Sequence, residues 1–175
     1  VDQLGRAGEL GLGGIPRLRV VDTRIGSPSF HTVTATLGFP GYLVYDVAVS
    51  PDDRYAYLSL TILGVGGELA ILDLQTLALV DCDPLTPGQQ NIAGLPMQGT
   101  CLEVDPRRGH VFAVGYANSI QRIDVDFASP GFGTFTAITG YSAVSGLALS
   151  GSGDRLYVNG TQGGVSALRE YDSDT

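Results

Sequence analysis

Apolar and polar positions along the chain alternate in short runs separated by turns. Residues 46–49, Asp-Val-Ala-Val, are small and β-branched, and the turn Ser50-Pro51-Asp52-Asp53-Arg54 follows. Proline presets φ there, and aspartate hydrogen-bonds the local backbone. Tyr55-Ala56-Tyr57-Leu58-Ser59-Leu60 then has strand composition. A glycine-bearing break at residues 64–67 leads into Leu69-Ala70-Ile71-Leu72-Asp73, and after the turn Asp73-Leu74-Gln75-Thr76 a fourth strand is predicted over residues 77–80.

The same order returns further along. Residues 101–104 read as a strand, 105–109 as a turn and 110–114 as a second strand; a third copy runs through 147–149, 150–154 and 155–159. An apolar-aspartate pair closes the third strand of each unit, at Val21-Asp22, Leu72-Asp73, Ile123-Asp124 and Tyr171-Asp172, with intervals of 51, 51 and 48 residues. Self-similarity at this period, with four strands per unit, is the signature of propeller blades. The predicted fold is therefore all-β, a β-propeller of four-stranded antiparallel blades. One domain spans 1–175, with a partial blade at 1–41, blades at 42–96 and 97–141, and a partial blade at 142–175. Alternation along the strands names the core as Val47, Val49, Tyr57, Ile71, Leu102, Val104, Phe112, Ile123, Leu147, Leu149, Tyr157 and Tyr171.

At about 50 residues per blade the chain holds about three and a half blades, fewer than the four to eight that usually close a ring. No convincing first strand precedes Val21-Asp22, and no outermost strand follows Asp172. The expectation is a segment of a larger, seven-bladed ring; a small closed propeller sharing strands between its termini is the alternative.

Ser50-Pro51-Asp52-Asp53-Arg54, the aromatic strand after it and the apolar-aspartate strand beyond resemble the YVTN-type β-propeller repeats of bacterial and archaeal surface proteins. Tyr157-Val158-Asn159 is similar to the strand that gives those repeats their name, and Tyr57-Leu58-Ser59 and Phe112-Ala113-Val114 are looser versions. The resemblance covers residues 15–175. It implies an extracellular, cell-surface or periplasmic protein. The absence of Trp argues against WD-type repeats.

Charge narrows the partners. Net charge is −8, with ten arginines and no lysine, which disfavours nucleic acid and anionic membrane surfaces. No stretch is long and apolar enough to be read as a membrane-spanning helix. The glycine-rich residues 1–14 lack the Lys-Ser/Thr of a phosphate-binding loop.

In a chain of this type Cys82 and Cys101 suggest one disulfide flanking a long loop, with free buried thiols as the rival. That loop, residues 83–99, is rich in proline, glycine and amides and reads as an ordered surface loop, with Gln89, Gln90 and Asn91 as candidate contact residues. A second loop, residues 127–133, presents Phe127 and Phe132.

Candidate chemistry is sparse. His31 and His110 fall in unlike blade positions and do not suggest a shared metal site. Calcium would have to use local aspartate pairs such as Asp52-Asp53 or Asp81 with Asp83, where turn capping is the plainer reading. No cofactor motif is present. Glu103 occupies the inner-strand position held elsewhere by Ala48 and Ala148, a place from which a lone acid could face a central channel. Asn159-Gly160-Thr161 fits both a glycosylation acceptor and a turn. The expected function is a non-enzymatic scaffold presenting loops to a protein or glycan. The alternatives are a propeller enzyme of lactonase or quinoprotein-like type with its site at a channel mouth, and a structural subunit pairing through open blade edges with further blades of the same or another chain.

Overall fold

The computed structural model describes residues 15–62, 66–82, 91–95, 97–115 and 118–173. Fourteen strands make up four sheets among them. The first sheet pairs β1 (Arg17–Val21) with β2 (Val33–Gly38). The second runs from β3 (Leu43–Val49) through β4 (Tyr55–Ile62) and β5 (Gly66–Asp73) to β6 (Ala78–Leu79), with β7 (Asn91–Leu95) also on β5. The third is β8 (Met97–Val104), β9 (His110–Gly115), β10 (Ile120–Asp124) and β11 (Phe135–Ile138) in that order. The fourth is β12 (Tyr141–Leu149), β13 (Arg155–Gln162) and β14 (Val165–Asp172). All pairings are antiparallel, and all but β5 with β7 join consecutive strands.

The sheets stack face to face because β4 and β9, inside the second and third sheets, are largely apolar on both faces. On β4, Ala56, Leu58 and Leu60 pack towards the first sheet, with Leu18 and Phe39. Tyr57 on the same strand points the other way and joins Leu69 and Ile71 against Leu102, Val111, Ala113 and Ile123 of the third sheet. On β9, Phe112 in turn leaves the face of Val111 and Ala113 and packs with Ile120 against Tyr141, Leu156 and Val158 of the fourth sheet. There the Tyr141 hydroxyl donates to that of Tyr171. Each interior sheet is thus a layer shared by two cores, the mode of stacking that blades require.

The expected core residues enter these clusters, with two departures. Val49 is half-buried outside them. Tyr157 is half-buried because its strand alternation turns it away from Leu156 and Val158, to the outer face of the fourth sheet.

The region read as a long surface loop is a correction. Residues 83–90, with Gln89 and Gln90, lie outside the described residues. Beyond them the chain is not loop: β7 pairs with β5, Ile92 opposite Leu69, and Met97 already belongs to β8. β6 and β7 lie end to end along β5, since Leu72 faces Leu79 and Ala70 faces Asn91. The insertion therefore interrupts the outermost strand of the second blade. Buried Ile92 anchors the return. The predicted strand at 77–80 is correspondingly shortened to Ala78–Leu79, because Leu77 takes φ 55° to close the turn.

The expected bridge is absent: Cys82 and Cys101 are both thiols. Strand alternation supplies the reason. Leu102 shares a core cluster with buried Cys82, so its neighbour Cys101 is turned to the opposite face of β8.

Candidate functional site

Adjacent blades leave a cleft at the end of the molecule where the first hairpin turns lie. The turn at residues 50–55 is closed by Ser50 N–H donating to the Tyr55 carbonyl and by Asp53 N–H donating to that of Ser50. The Ser50 hydroxyl accepts from Tyr55 N–H at 2.9 Å and donates to Asp52. In the third sheet Asp105 N–H donates to the His110 carbonyl, and Asp105 Oδ1 accepts from Arg107 N–H at 2.9 Å. Between these turns and residues 125–128 lies a cleft of about 630 Å³, lined by Asp52, Arg54, Tyr55, Tyr57, Arg107, Asp126 and Phe127 among others. That volume is ample for a side chain or small ligand.

Rings and charges share its wall. The Arg54 guanidinium sits 4.9 Å above the Tyr55 ring. Tyr55 lies 5.4 Å from Phe127, which stacks on Phe132 at 4.9 Å. Phe127 is 44% exposed, whereas Phe132 packs on the core between the second and third sheets. The two phenylalanines expected in the 127–133 loop are therefore brought together, one as a support and one as a surface. Burial, and then the negative charge of Asp52, push the Tyr57 phenol up to about 12. Donation from the Ser50 hydroxyl, and then from Arg54 N–H, holds the Asp52 carboxyl below its ordinary range. Asp105 is buried, and among the described residues nothing donates to its Oδ2. Tyr57 therefore stays protonated at neutral pH and can donate, while Asp52 stays ionised and can accept.

Glu103 is half-buried and stands opposite Phe112 in the β8–β9 ladder, the register that Ala48 and Ala148 hold opposite Tyr57 and Tyr157. It lies apart from the cleft lining. His31 stacks on Phe30 at 3.8 Å, and His110 is in another sheet. Among the described residues no group of three or more His, Cys, Asp or Glu is placed to hold a metal ion. Asn159 is exposed in the middle of β13, between Gly146 and Leu168, so the Asn-Gly pair makes no turn here.

The strand-closing aspartates organise hairpins. Asp22 Oδ2 accepts from Ser27 Oγ and Ser29 Oγ, both at 2.6 Å, and Oδ1 from Arg24 N–H at 2.9 Å. Asp124 accepts from Ser129 Oγ and from Asp126 N–H. The two hairpins match in their backbone bonds: Asp22 and Asp124 take Thr32 and Thr134 as partners, and residues His31 and Gly133 both carry positive φ. The signal in the sequence was Asp-x4-Ser-Pro, at 22–28 and at 124–130. A second residue missed by pattern alone is Asp46, whose Oδ2 accepts from Leu102 N–H at 3.0 Å and so ties the second sheet to the third. The bulge between Met97 and Leu102 brings that N–H within reach.

These stacked antiparallel sheets define a segment of a β-propeller. No protein-family model matches the chain, and no curated protein does. Solved propellers do match in fold. The dihydro-heme d1 dehydrogenase NirN, in complex with DHE, superposes with a TM-score of 0.57 at 19% identity, over 91% of this chain and 31% of that one. The β-propeller domain of Cps50 (Swd1) from Myceliophteria thermophila superposes with a TM-score of 0.50 at 11% identity, over 90% of this chain and 54% of that one. The chain thus spans about a third and about half of these two proteins.

Proposed function

We propose that this propeller segment is a binding scaffold and that the cleft between its second and third sheets is where a protein partner engages. The observation that carries the reading is the make-up of that cleft. An exposed Phe127 is braced by Phe132 and Tyr55, and it is flanked by Arg54 and Arg107 and by Asp52 and Asp126. Rigid aromatic surface ringed by charges of both signs suits recognition of a polypeptide, where aromatic and arginine anchors dominate the energy. The Tyr57 phenol, pushed up to about 12, is suited to donating a hydrogen bond and not to acting as a base. The dehydrogenase activity named for NirN is not carried over, because likeness at 19% identity reaches the fold alone.

A cell-surface, extracellular or periplasmic setting belongs to the same reading. It rests on the resemblance of the turn-and-strand units to YVTN-type repeats. Selection of a displayed random-peptide library against the immobilised chain tests the cleft. Enriched peptides should lose binding to Phe127→Ala and Arg54→Ala chains and keep it with Ile25→Ala, which alters a residue 92% exposed between β1 and β2 and outside the cleft lining. No enrichment, or enrichment indifferent to Phe127, refutes the proposal. Cell fractionation with an epitope tag tests the location.

A further inference from the structure

Resting on the reading of this cleft as a polypeptide-binding site, we infer that it selects an acidic side chain, held by Arg54 and Arg107, close to an apolar side chain laid on Phe127. The cleft belongs to the second and third sheets alone, and each of these packs against a sheet on either side. Its carboxylates are already engaged by their own turns. Asp52 accepts from the Ser50 hydroxyl and, at 3.2 Å, from Arg54 N–H. Asp126 accepts from Ala128 N–H at 2.9 Å. Asp105 accepts from Arg107 N–H and is only 2% exposed, so it is closed to a ligand. Short aspartate side chains are spent in this way wherever they organise a turn.

The two guanidiniums of the lining are in the opposite state. Arg54 and Arg107 are exposed, and among the described residues neither guanidinium donates a hydrogen bond or enters an ion pair. A guanidinium offers five N–H donors in a planar fork that matches a carboxylate. The uncommitted polarity of the cleft is therefore cationic and donating, and its complement is a carboxylate. Arg54 is held 4.9 Å over the Tyr55 ring, and Tyr55 is 5.4 Å from the exposed Phe127. A cation and an apolar ring thus stand side by side along one wall. Side chains on one face of an extended segment recur every second residue, about 6.5–7 Å apart. An acid and a large apolar residue within two positions of each other can therefore reach Arg54 and Phe127 together. A lysine or arginine of the partner would be drawn instead to carboxylates that already have donors, and it would face two guanidiniums of like charge.

A displayed peptide library anchored through its C-termini, so that every carboxylate it offers is a side chain, tests this on the full chain. Enriched peptides should carry Asp or Glu within two residues of a large apolar residue. In a resynthesised peptide, exchange of that acid for its amide should weaken binding roughly tenfold, as loss of an interface anchor does. Arg54→Gln with Arg107→Gln should weaken the acidic peptide by a like factor and leave the amide peptide nearly unchanged, because partners in one contact do not add. Both arginines are exposed, so the far-UV spectrum should stay the same. Peptides that bind through Phe127 without an acid, or with Lys or Arg in its place, overturn the inference and leave the cleft reading standing. So does an acid requirement that survives loss of both arginines. Peptides indifferent to Phe127→Ala, or no enrichment at all, overturn both.

Discussion

Phe112→Ala isolates the contact between one blade and the next. Phe112 is 1% exposed on the central strand β9 and packs with Ile120 against Leu156, Val158 and Tyr141 of the fourth sheet. A buried phenylalanine removes roughly 150–250 Å² from water. The transfer loss and the cavity left behind together cost about 3–5 kcal/mol when it is truncated to alanine. That is a large share of the roughly 5–15 kcal/mol that holds a domain folded. Tyr157→Ala is the internal control. Tyr157 stands opposite Ala148 as Tyr57 stands opposite Ala48, the repeat position of Phe112, yet it is half-buried and lies outside every core cluster. Its truncation should cost about 1 kcal/mol or less, in line with surface substitutions. The assay is urea unfolding followed by circular dichroism, at a protein concentration where the chain is monomeric. If Phe112→Ala does not fold at all, Phe112→Leu supplies the measurable step. Equal costs at the two positions would refute the reasoning, since a neighbouring sheet packs on Phe112 and, among the described residues, none packs on Tyr157.

Further outcomes follow from particular residues. Gly153 has φ +71°, and a Cβ there would come within 2.7 Å of Asp105 Oδ1 and 2.8 Å of Pro106 Cδ. Gly153→Ala should therefore destabilise by about 1–3 kcal/mol, and more than Gly163→Ala, where φ is +60° and nothing lies within 4 Å; thermal unfolding ranks the two. Hydrogen bonds hold four aspartates below their ordinary range: Arg24 chiefly for Asp22, Ser50 for Asp52, Thr76 N–H for Asp73 and Ser152 for Asp154. A folded value below the unfolded one gives stability that is present above the ordinary aspartate value of about 3.9 and is lost as pH falls through the folded values. The urea midpoint should thus fall steadily below about pH 4, and a midpoint indifferent to acid contradicts the hairpin bonding. Burial, and then the Asp81 charge, push the Cys82 thiol up to about 11, so it should resist alkylation until the chain unfolds. Intact mass should be the same with and without reductant; a gain of about 2 Da on reduction would show the Cys82–Cys101 bridge after all.

Much of the fold was legible because the repeat carries its own punctuation. Proline and aspartate turns at 50–54 and 105–109 mark the first hairpins, and the apolar-aspartate pairs mark the ends of β1, β5, β10 and β14. What pattern could not supply was the path of residues 83–99. Their proline and glycine content reads as loop, yet Asn91–Leu95 pairs with β5, because the second sheet offers it an unfilled ladder beyond Val80. Tertiary pairing overrides local composition there. The cleft was only partly visible. Phe127 and Phe132 stood out as loop aromatics, but Arg54, Tyr55 and Asp126 are 52 to 73 residues away from one partner or another, and only the stacking of sheets brings them together. The Cys82–Cys101 bridge was expected of two cysteines in a chain of this type, with free thiols as the rival, and the structure has both as thiols.

The central claim is that these sheets stack as successive blades, with alternate residues of one strand serving two different neighbours. Nuclear Overhauser contacts from aromatic rings to methyl groups test it most directly. The Phe112 ring should show contacts to Leu156 and Val158, and the Tyr57 ring to Val111 and Ala113, while in the monomer the Tyr157 ring shows none to a methyl of another sheet. Phe112 and Tyr57 rings touching the same set of methyls would mean a single shared core, and would contradict the blade arrangement.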